Sequence, residues 1–313
     1  MSFDLNINLE SAIKRCNGEL VADGNNNWNV YRIYPFTTEN ISGYIDNFSL
    51  IDKSLLTVGS SGDQVINAIL HGCEDITLLD KNPYSKYYYY LKISSLLCLD
   101  IDTFMEFLRF KDYPKVFKNN KNVFKKEIYE NIKLKLRLLD YESYLFWDEL
   151  FQMFEPIDIR NSLFSLDEDR TYVISGCNNY LQNDISYYKA KEKVQKVTPK
   201  FIYGDLFKLD LEKKYDNIWL SNIGTYLPRH FIKIMTDKMS KLLNRDSQLL
   251  ISYLYKTTKE TKYEEDWSLI YDLEKIFDIL KEYEPDLISF NGVEGLKFID
   301  NSIKDSILIY RKH

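Results

Sequence analysis

The clearest pattern along the chain is an apolar run, Leu55-Leu56-Thr57-Val58, that stops in Gly59-Ser60-Ser61-Gly62-Asp63 and is followed by a helical stretch. A second apolar run, Ile76-Thr77-Leu78-Leu79, then ends on Asp80, twenty-one positions after Gly59. Strand, glycine turn, helix, strand and terminal acid make up a nucleoside-binding βαβ unit. Its glycines admit close backbone approach, and its acid can accept hydrogen bonds from ribose hydroxyls. After Asp80-Lys81-Asn82-Pro83 the periodicity predicts a helix over 84–97, with Pro83 suited to its first turn. The four tyrosines Tyr87, Tyr88, Tyr89 and Tyr90 fall on all of its faces, so some belong to the core and some to the rim.

Beyond residue 100 the pattern changes to helical spacing rich in aromatics and lysines, as in Ile128, Ile132, Leu134, Leu138 and Leu139. This stretch, 101–169, is too long for a single crossover and is expected to be a helical insertion covering the acceptor side. Alternation then resumes. Strands are expected at 170–175, 200–206 with its turn, 217–220 and 248–255, helices at 184–197, 230–243 and 266–282, and two closing strands at 287–290 and 306–310. Strands alternating with helices imply a mainly parallel sheet covered on both faces, and the two closing strands an antiparallel hairpin at one edge. The expected fold is therefore α/β, a Rossmann-like class I methyltransferase sheet with a C-terminal hairpin and a helical insertion. Its parts are an N-terminal cap segment 1–50, a cofactor domain formed by 51–100 and 170–313, and the insertion.

Composition narrows the chemistry. Four scattered cysteines and three histidines, without a C-x-x-C pair or a His pair at i, i+4, argue against a disulfide framework and against a metal site. The start Met1-Ser2-Phe3-Asp4 carries no cationic apolar leader and no apolar stretch approaches twenty residues, so a soluble, cytoplasmic protein is expected. A net charge of −6 argues against a surface devoted to nucleic acid, although residues 111–137 hold nine basic residues against three acidic ones. That cluster suits an RNA, a nucleotide or peripheral contact with a phospholipid surface, and suits a solvated helical face as well.

A dinucleotide turn would need room for a diphosphate at the helix N-terminus. Here Asp63 stands in that position, and a carboxylate repels phosphate while tolerating a zwitterionic amino acid. S-adenosylmethionine, which carries no phosphate, is the expected cofactor, with residues 59–63 (Gly59, Ser60, Ser61, Gly62, Asp63), Asp80 and Asn82 around it. Asp205 and the Leu206 backbone are candidates for the adenine, Asp205 serving equally as a turn residue. Ser221 and Asn222 fall where sulfonium and acceptor would meet. Ahead of the sheet, Arg32 is a candidate for the methionine carboxylate and Glu39 for a base or a group that orients the acceptor. The competing reading there has Thr37 or Thr38 capping a helix that starts near Glu39.

Val58-Gly59-Ser60-Ser61-Gly62-Asp63, Asp80-Lys81-Asn82-Pro83 with a following helix that carries Lys92, Asn179-Tyr180-Leu181 and Leu220-Ser221-Asn222-Ile223 resemble the family grouped around the diacylglycerol 3-amino-3-carboxypropyltransferase of betaine-lipid synthesis. The resemblance runs in patches over residues 54–225. It implies use of S-adenosylmethionine and transfer of its 3-amino-3-carboxypropyl arm, with release of 5′-methylthioadenosine. The insertion and the C-terminal part show no match, so the acceptor, a small molecule or lipid, does not carry over. Methyl transfer to a small molecule, lipid or RNA is the alternative within the same fold, and a non-catalytic cofactor-binding or regulatory module is the alternative outside enzymes.

Overall fold

In the computed structural model the residues described are 4–19, 32–37, 39–59, 61–108, 124–165, 174–221, 223, 229–252, 280–291 and 304–313. Seven strands form one sheet: β1 (Ser54–Val58), β2 (Asp75–Asp80), β3 (Lys200–Tyr203), β4 (Tyr215–Trp219), β5 (Leu243–Ser252), β6 (Asp286–Asn291) and β7 (Lys304–Lys312). Their order across the sheet is β3-β2-β1-β4-β5-β7-β6. The first five run parallel, while β7 is antiparallel to both β5 and β6. This is the expected mainly parallel Rossmann-like sheet, closed by an antiparallel pair at one edge.

Strand β1 is buried along most of its length because both neighbours pair with it in register, Leu55 with Ile76 on one side and with Asn217 on the other. Its start is latched to β4. The backbone N–H and the hydroxyl of Ser54 both donate to the Asp216 carboxylate, at 2.9 and 2.8 Å. Strand order reverses between β1 and β4, since the chain winds from β1 outward through β2 to β3 and returns to β4 on the other side. Ligands of such sheets sit beyond the strands' carboxyl ends at that reversal.

Helix α1 (Leu5–Cys16) and the single turn α2 (Ile41–Tyr44) precede the sheet, and α3 (Asp63–Leu70) joins β1 to β2. Helix α4 (Tyr84–Cys98) is buried on nearly every face. One side meets the sheet, where Tyr89 lies edge-on to Phe201 at 5.4 Å. The other meets α7 (Tyr141–Met153), where Tyr87 stacks on Phe146 at 4.3 Å and the Trp147 indole N–H donates to the Tyr87 carbonyl at 2.9 Å. Tyr87, Tyr88 and Tyr89 are thus core, and Tyr90 is half-buried. Helices α5 (Ile101–Leu108), α6 (Lys126–Leu139) and α8 (Pro156–Leu163) complete the helices of the 101–169 stretch among the described residues. Helix α6 turns Tyr129, Ile132 and Leu136 inward and leaves Leu134 and Leu138 exposed. No helix among the described residues is long and apolar enough to cross a membrane.

The strand expected at 170–175 is corrected where it is described: Ile174 and Ser175 open a helical turn, α9 (Ile174–Cys177), and 170–173 lie outside the described residues. The β-branched and aromatic run there has strand propensity, but context overrides so short a preference. Helices α10 (Asp184–Val194) and α11 (Arg229–Ser240) each stop three residues before the expected end, and β5 begins five residues earlier. The helix expected at 266–282 lies outside the described residues up to 279, and Lys281–Tyr283 is a 3-10 turn. On the second face of the sheet Ile232, Met235 and Met239 of α11 pack with Leu56, Ile218 and Leu249.

Candidate functional site

At the carboxyl end of β1 the chain passes through Gly59 and Gly62 into α3. Gly62 has φ of +79°, a left-handed conformation that costs an L-residue about 1–2 kcal/mol, and it serves as the N-cap of α3. Gly59 is required for a different reason. A Cβ there would lie 2.9 Å from Asp80 Oδ2, so only glycine lets the end of β2 bring its carboxylate against the turn. Asp80 Oδ1 accepts the Asn82 N–H at 2.9 Å. The Asn82 side chain donates to the Arg32 carbonyl at 3.0 Å and accepts the Tyr84 N–H at 2.9 Å. Asn82 is therefore a joint between the N-terminal segment, the β2 end and α4.

Asp63 has no exposed surface. Its Oδ2 accepts the Thr37 N–H at 2.5 Å and the Ser61 hydroxyl at 2.9 Å; its Oδ1 accepts the Tyr180 hydroxyl at 2.7 Å and the Lys92 ammonium at 2.5 Å. Both oxygens are occupied inside the protein, so Asp63 holds the turn together. Lys92, equally buried, also donates to the carbonyls of Pro35 and Ser61 at 2.9 and 3.2 Å and lies 4.1 Å from the Phe36 ring centre. Burial pulls Lys92 down to about 8 from its ordinary 10.5, against the opposing attraction of Asp63, which leaves it a cation at neutral pH. The same burial, joined by repulsion from Asp63, pushes Tyr88 and Tyr180 well above 10.0.

The other half of the site forms around β4. Trp219, its last residue, is covered by Tyr44 and Phe48, whose rings lie 6.0 and 5.2 Å from it. That packing seats α2 on the sheet, with Asn40 capping it through a bond from the Gly43 N–H at 3.1 Å. Thr37 is not the helix cap the sequence offered: the helical turn starts at Ile41, and the Thr37 hydroxyl instead accepts the Glu39 N–H ahead of it at 3.1 Å. The Glu39 carboxylate, only 2 % exposed, is thereby brought to the carboxyl end of β4. It accepts hydrogen bonds from the Tyr44 hydroxyl at 3.1 Å and from the Ser221 hydroxyl, with Gln64 Nε2 at 3.5 Å. Burial and the neighbouring Glu39 drive Tyr44 well above 10.0, so it remains a donor. Ser221 holds φ of +55°, a conformation rare for a residue with a side chain and typical of functional turns.

The structure therefore brings Glu39 and Ser221 together, and Gly59 and Asp80 together. The Arg32 guanidinium is turned toward the end of α8, donating to the carbonyls of Asn161 and Phe164 at 3.2 and 3.0 Å. Asp205 Oδ1 accepts the Phe207 N–H at 2.9 Å, the turn-forming arrangement, and Leu206 is buried in the second core. Ser60 and Asn222 lie outside the described residues. Sequence reasoning did not assign roles to Lys92, Tyr180, Tyr44 and Gln64. Lys92 carried one usable signal: Tyr88, Tyr89, Ser95 and Leu96, its helical neighbours, include no carboxylate, so any partner had to come from elsewhere in the fold.

Carboxylates at three strand ends, Asp80, Asp205 and Glu39 beside Ser221, are acceptors for hydroxyl and amino groups and repel phosphate.

No protein-family model and no curated protein matches this chain. Among solved structures it is similar to a TehB-like SAM-dependent methyltransferase from Corynebacterium glutamicum, at 10% identity over 98% of this chain and 100% of that one, TM-score 0.39. It is similar to the magnesium protoporphyrin IX methyltransferase of Synechocystis PCC 6803 with bound SAH, at 10% identity over 86% and 78%, TM-score 0.37. A third likeness is to a ribosomal protein L11 methylase from Lactobacillus delbrueckii subsp. bulgaricus, at 13% identity over 88% and 77%, TM-score 0.38.

Proposed function

We propose that the chain is an S-adenosylmethionine-dependent group transferase acting on an acceptor nucleophile. The observation that carries the reading is the buried Glu39 carboxylate set against the strained Ser221 at the carboxyl end of β4, beside the strand-order reversal and the glycine turn. Glu39 at the end of β4 and Asp80 at the end of β2, the two strands flanking β1, support this reading.

Bound S-adenosylmethionine would supply a carbon already activated by a sulfonium, so the chain's work is positioning and proton removal. Asp80 would hold the ribose hydroxyls, and the turn at residues 59–62 would let the backbone approach. Glu39, oriented by Tyr44 and Ser221, would accept the acceptor's proton at a carboxylate oxygen. Ser221 would exchange its bond to Glu39 for one to the acceptor, keeping the nucleophile in line.

Methyl transfer is the simpler outcome, because the methyl is the least hindered of the three carbons on sulfur. Transfer of the 3-amino-3-carboxypropyl arm is the second reading, supported by the Asp80-Lys81-Asn82-Pro83 and Leu220-Ser221-Asn222 resemblance. Mass spectrometry of the nucleoside coproduct separates them, after incubation of purified protein with S-adenosylmethionine and a host extract of small molecules and lipids. S-adenosylhomocysteine marks methyl transfer and 5′-methylthioadenosine marks arm transfer. If neither appears and calorimetry detects no binding, the transferase reading fails.

A further inference from the structure

The buried ion pair beneath the glycine turn asks for an explanation that stability does not supply. Replacing a buried ion pair with well-packed apolar side chains is often neutral or stabilising, which directs attention to what the pair holds in place. Lys92 and Asp63 are fully buried, and each spends its bonds on two stretches of backbone rather than on its partner alone. Lys92 reaches the Pro35 carbonyl on the N-terminal segment and the Ser61 carbonyl on the turn. Asp63 takes the Thr37 N–H from that same segment and the Ser61 hydroxyl from that same turn. Tyr88 adds a second donor to Pro35, at 2.6 Å, and Tyr180 a fourth donor to Asp63. Two residues past Thr37 the segment carries Glu39, tied to it through the Thr37 hydroxyl.

We infer that Lys92 and Asp63 are positioning residues that join the cofactor turn and the Glu39-bearing segment into one unit, so that the turn and the base are set together. The functional meaning rests on the transferase reading; the mechanical coupling does not. An apolar pair of similar volume could fill this space, but it could not hold four backbone and hydroxyl groups from two chain segments in fixed register. A turn that moves would therefore take Glu39 with it, and proton removal would be assembled only around an ordered cradle.

Hydrogen–deuterium exchange on the full-length Asp63→Asn protein tests the coupling without any ligand. Peptides spanning 33–41 and 59–67 should lose protection together, by about tenfold in exchange rate, the scale of one lost charge-assisted bond, while β5 is unchanged. Faster exchange in 59–67 with wild-type protection in 33–41 would overturn the inference. A second arm uses Lys92→Met combined with Asp63→Leu, which removes both charges at once. Its thermal midpoint should fall, because the Thr37 N–H, the Tyr180 hydroxyl and the Ser61 carbonyl lose these buried partners, and its affinity for S-adenosylhomocysteine should fall by about tenfold or more. A folded double variant with undiminished affinity would show the pair to be structural filler. If the wild type gives no heat with S-adenosylhomocysteine, the cofactor reading fails and the exchange experiment still decides the coupling.

Discussion

Gly59→Ala is the most direct probe of the cradle, because the structure states what the added methyl would strike. The new Cβ would lie 2.9 Å from Asp80 Oδ2, 3.1 Å from Asp80 Cβ and 3.4 Å from the Ser85 hydroxyl. The first contact is shorter than a Cβ can tolerate, so the carboxylate must swing away or the end of β2 must shift. Either movement disturbs the bond from the Asn82 N–H to Oδ1, a charge-assisted bond worth about 1.5–3 kcal/mol. Overpacking of this kind costs about 1–3 kcal/mol of stability. Urea unfolding followed by circular dichroism should show that loss, and calorimetry with S-adenosylhomocysteine should show affinity reduced by about 10- to 100-fold. Asp80→Ala alone should weaken binding by about 1.5–3 kcal/mol through the lost ribose contact. In that background Gly59→Ala should cost less, because the oxygen it strikes is gone and only the 3.1 Å contact with the Cβ remains. Wild-type affinity in Gly59→Ala would refute the placement of the ribose beside Asp80, and full additivity in the double variant would show that the methyl acts elsewhere. Gly62→Ala separates the two glycines: its φ of +79° and the Tyr89 ring 3.0 Å away predict a loss of stability from strain, independent of Asp80.

Lys92→Met alone leaves the Asp63 carboxylate buried without its cation and should destabilise the chain by about 3–5 kcal/mol in urea unfolding; a loss below about 1 kcal/mol would mean that Asp63 does not need its partner. Glu39→Gln should slow transfer by about 10²- to 10⁴-fold while S-adenosylhomocysteine affinity stays at wild type, and an unchanged rate would remove Glu39 as the base. Alkaline pH should unfold the protein cooperatively. Tyr44, Tyr88, Tyr89 and Tyr180 are raised above 10.0 by burial, so above pH 10 the unfolded chain releases protons that the folded one keeps, and stability falls by up to about 1.4 kcal/mol per pH unit for each. Lys92 acts with the opposite sign between about 8 and 10.5, where the unfolded chain binds the extra proton, so its effect is largely complete before the loss from the tyrosines sets in. Tyrosinate absorbance and loss of circular dichroism should rise together; ionisation near pH 10 with the fold intact would contradict the burial of these rings.

Much of the scaffold was legible because the information is local. An apolar run ending in glycine, or one ending in Asp80, announces a strand and its carboxyl end, and a run of such units implies a parallel sheet. The hairpin was legible from two strands too close in sequence for a crossover. Glu39 stood out in a crowded polar and aromatic segment, but its position depends on packing that the segment alone does not show: Tyr44 and Phe48 cover Trp219 and so bring Glu39 to Ser221. What stayed hidden depends on long-range partners. Asp63 reads as a turn residue facing a ligand until Lys92, Tyr180 and Thr37 are seen around it, and those lie 29, 117 and 26 positions away. Arg32 reads as a free cation until the end of α8 supplies two carbonyls. The run at 170–175 reads as a strand because propensity is local, whereas Ile174–Cys177 is a helical turn.

The latch between Ser54 and Asp216 closes a loop of 162 residues, and β4 is the strand that makes β1 central instead of an edge. During synthesis β1, β2 and β3 can pair, and α4 can gather α6 and α7 against it, before β4 has left the ribosome. Until then β1 presents an open parallel edge to solvent. Pairings of such sequence separation form slowly, because loop-closure entropy is spent before the contacts return it. The nascent protein should therefore pass through a species with its helical layer docked and its sheet half built, exposed to chaperones and to edge-to-edge association at β1.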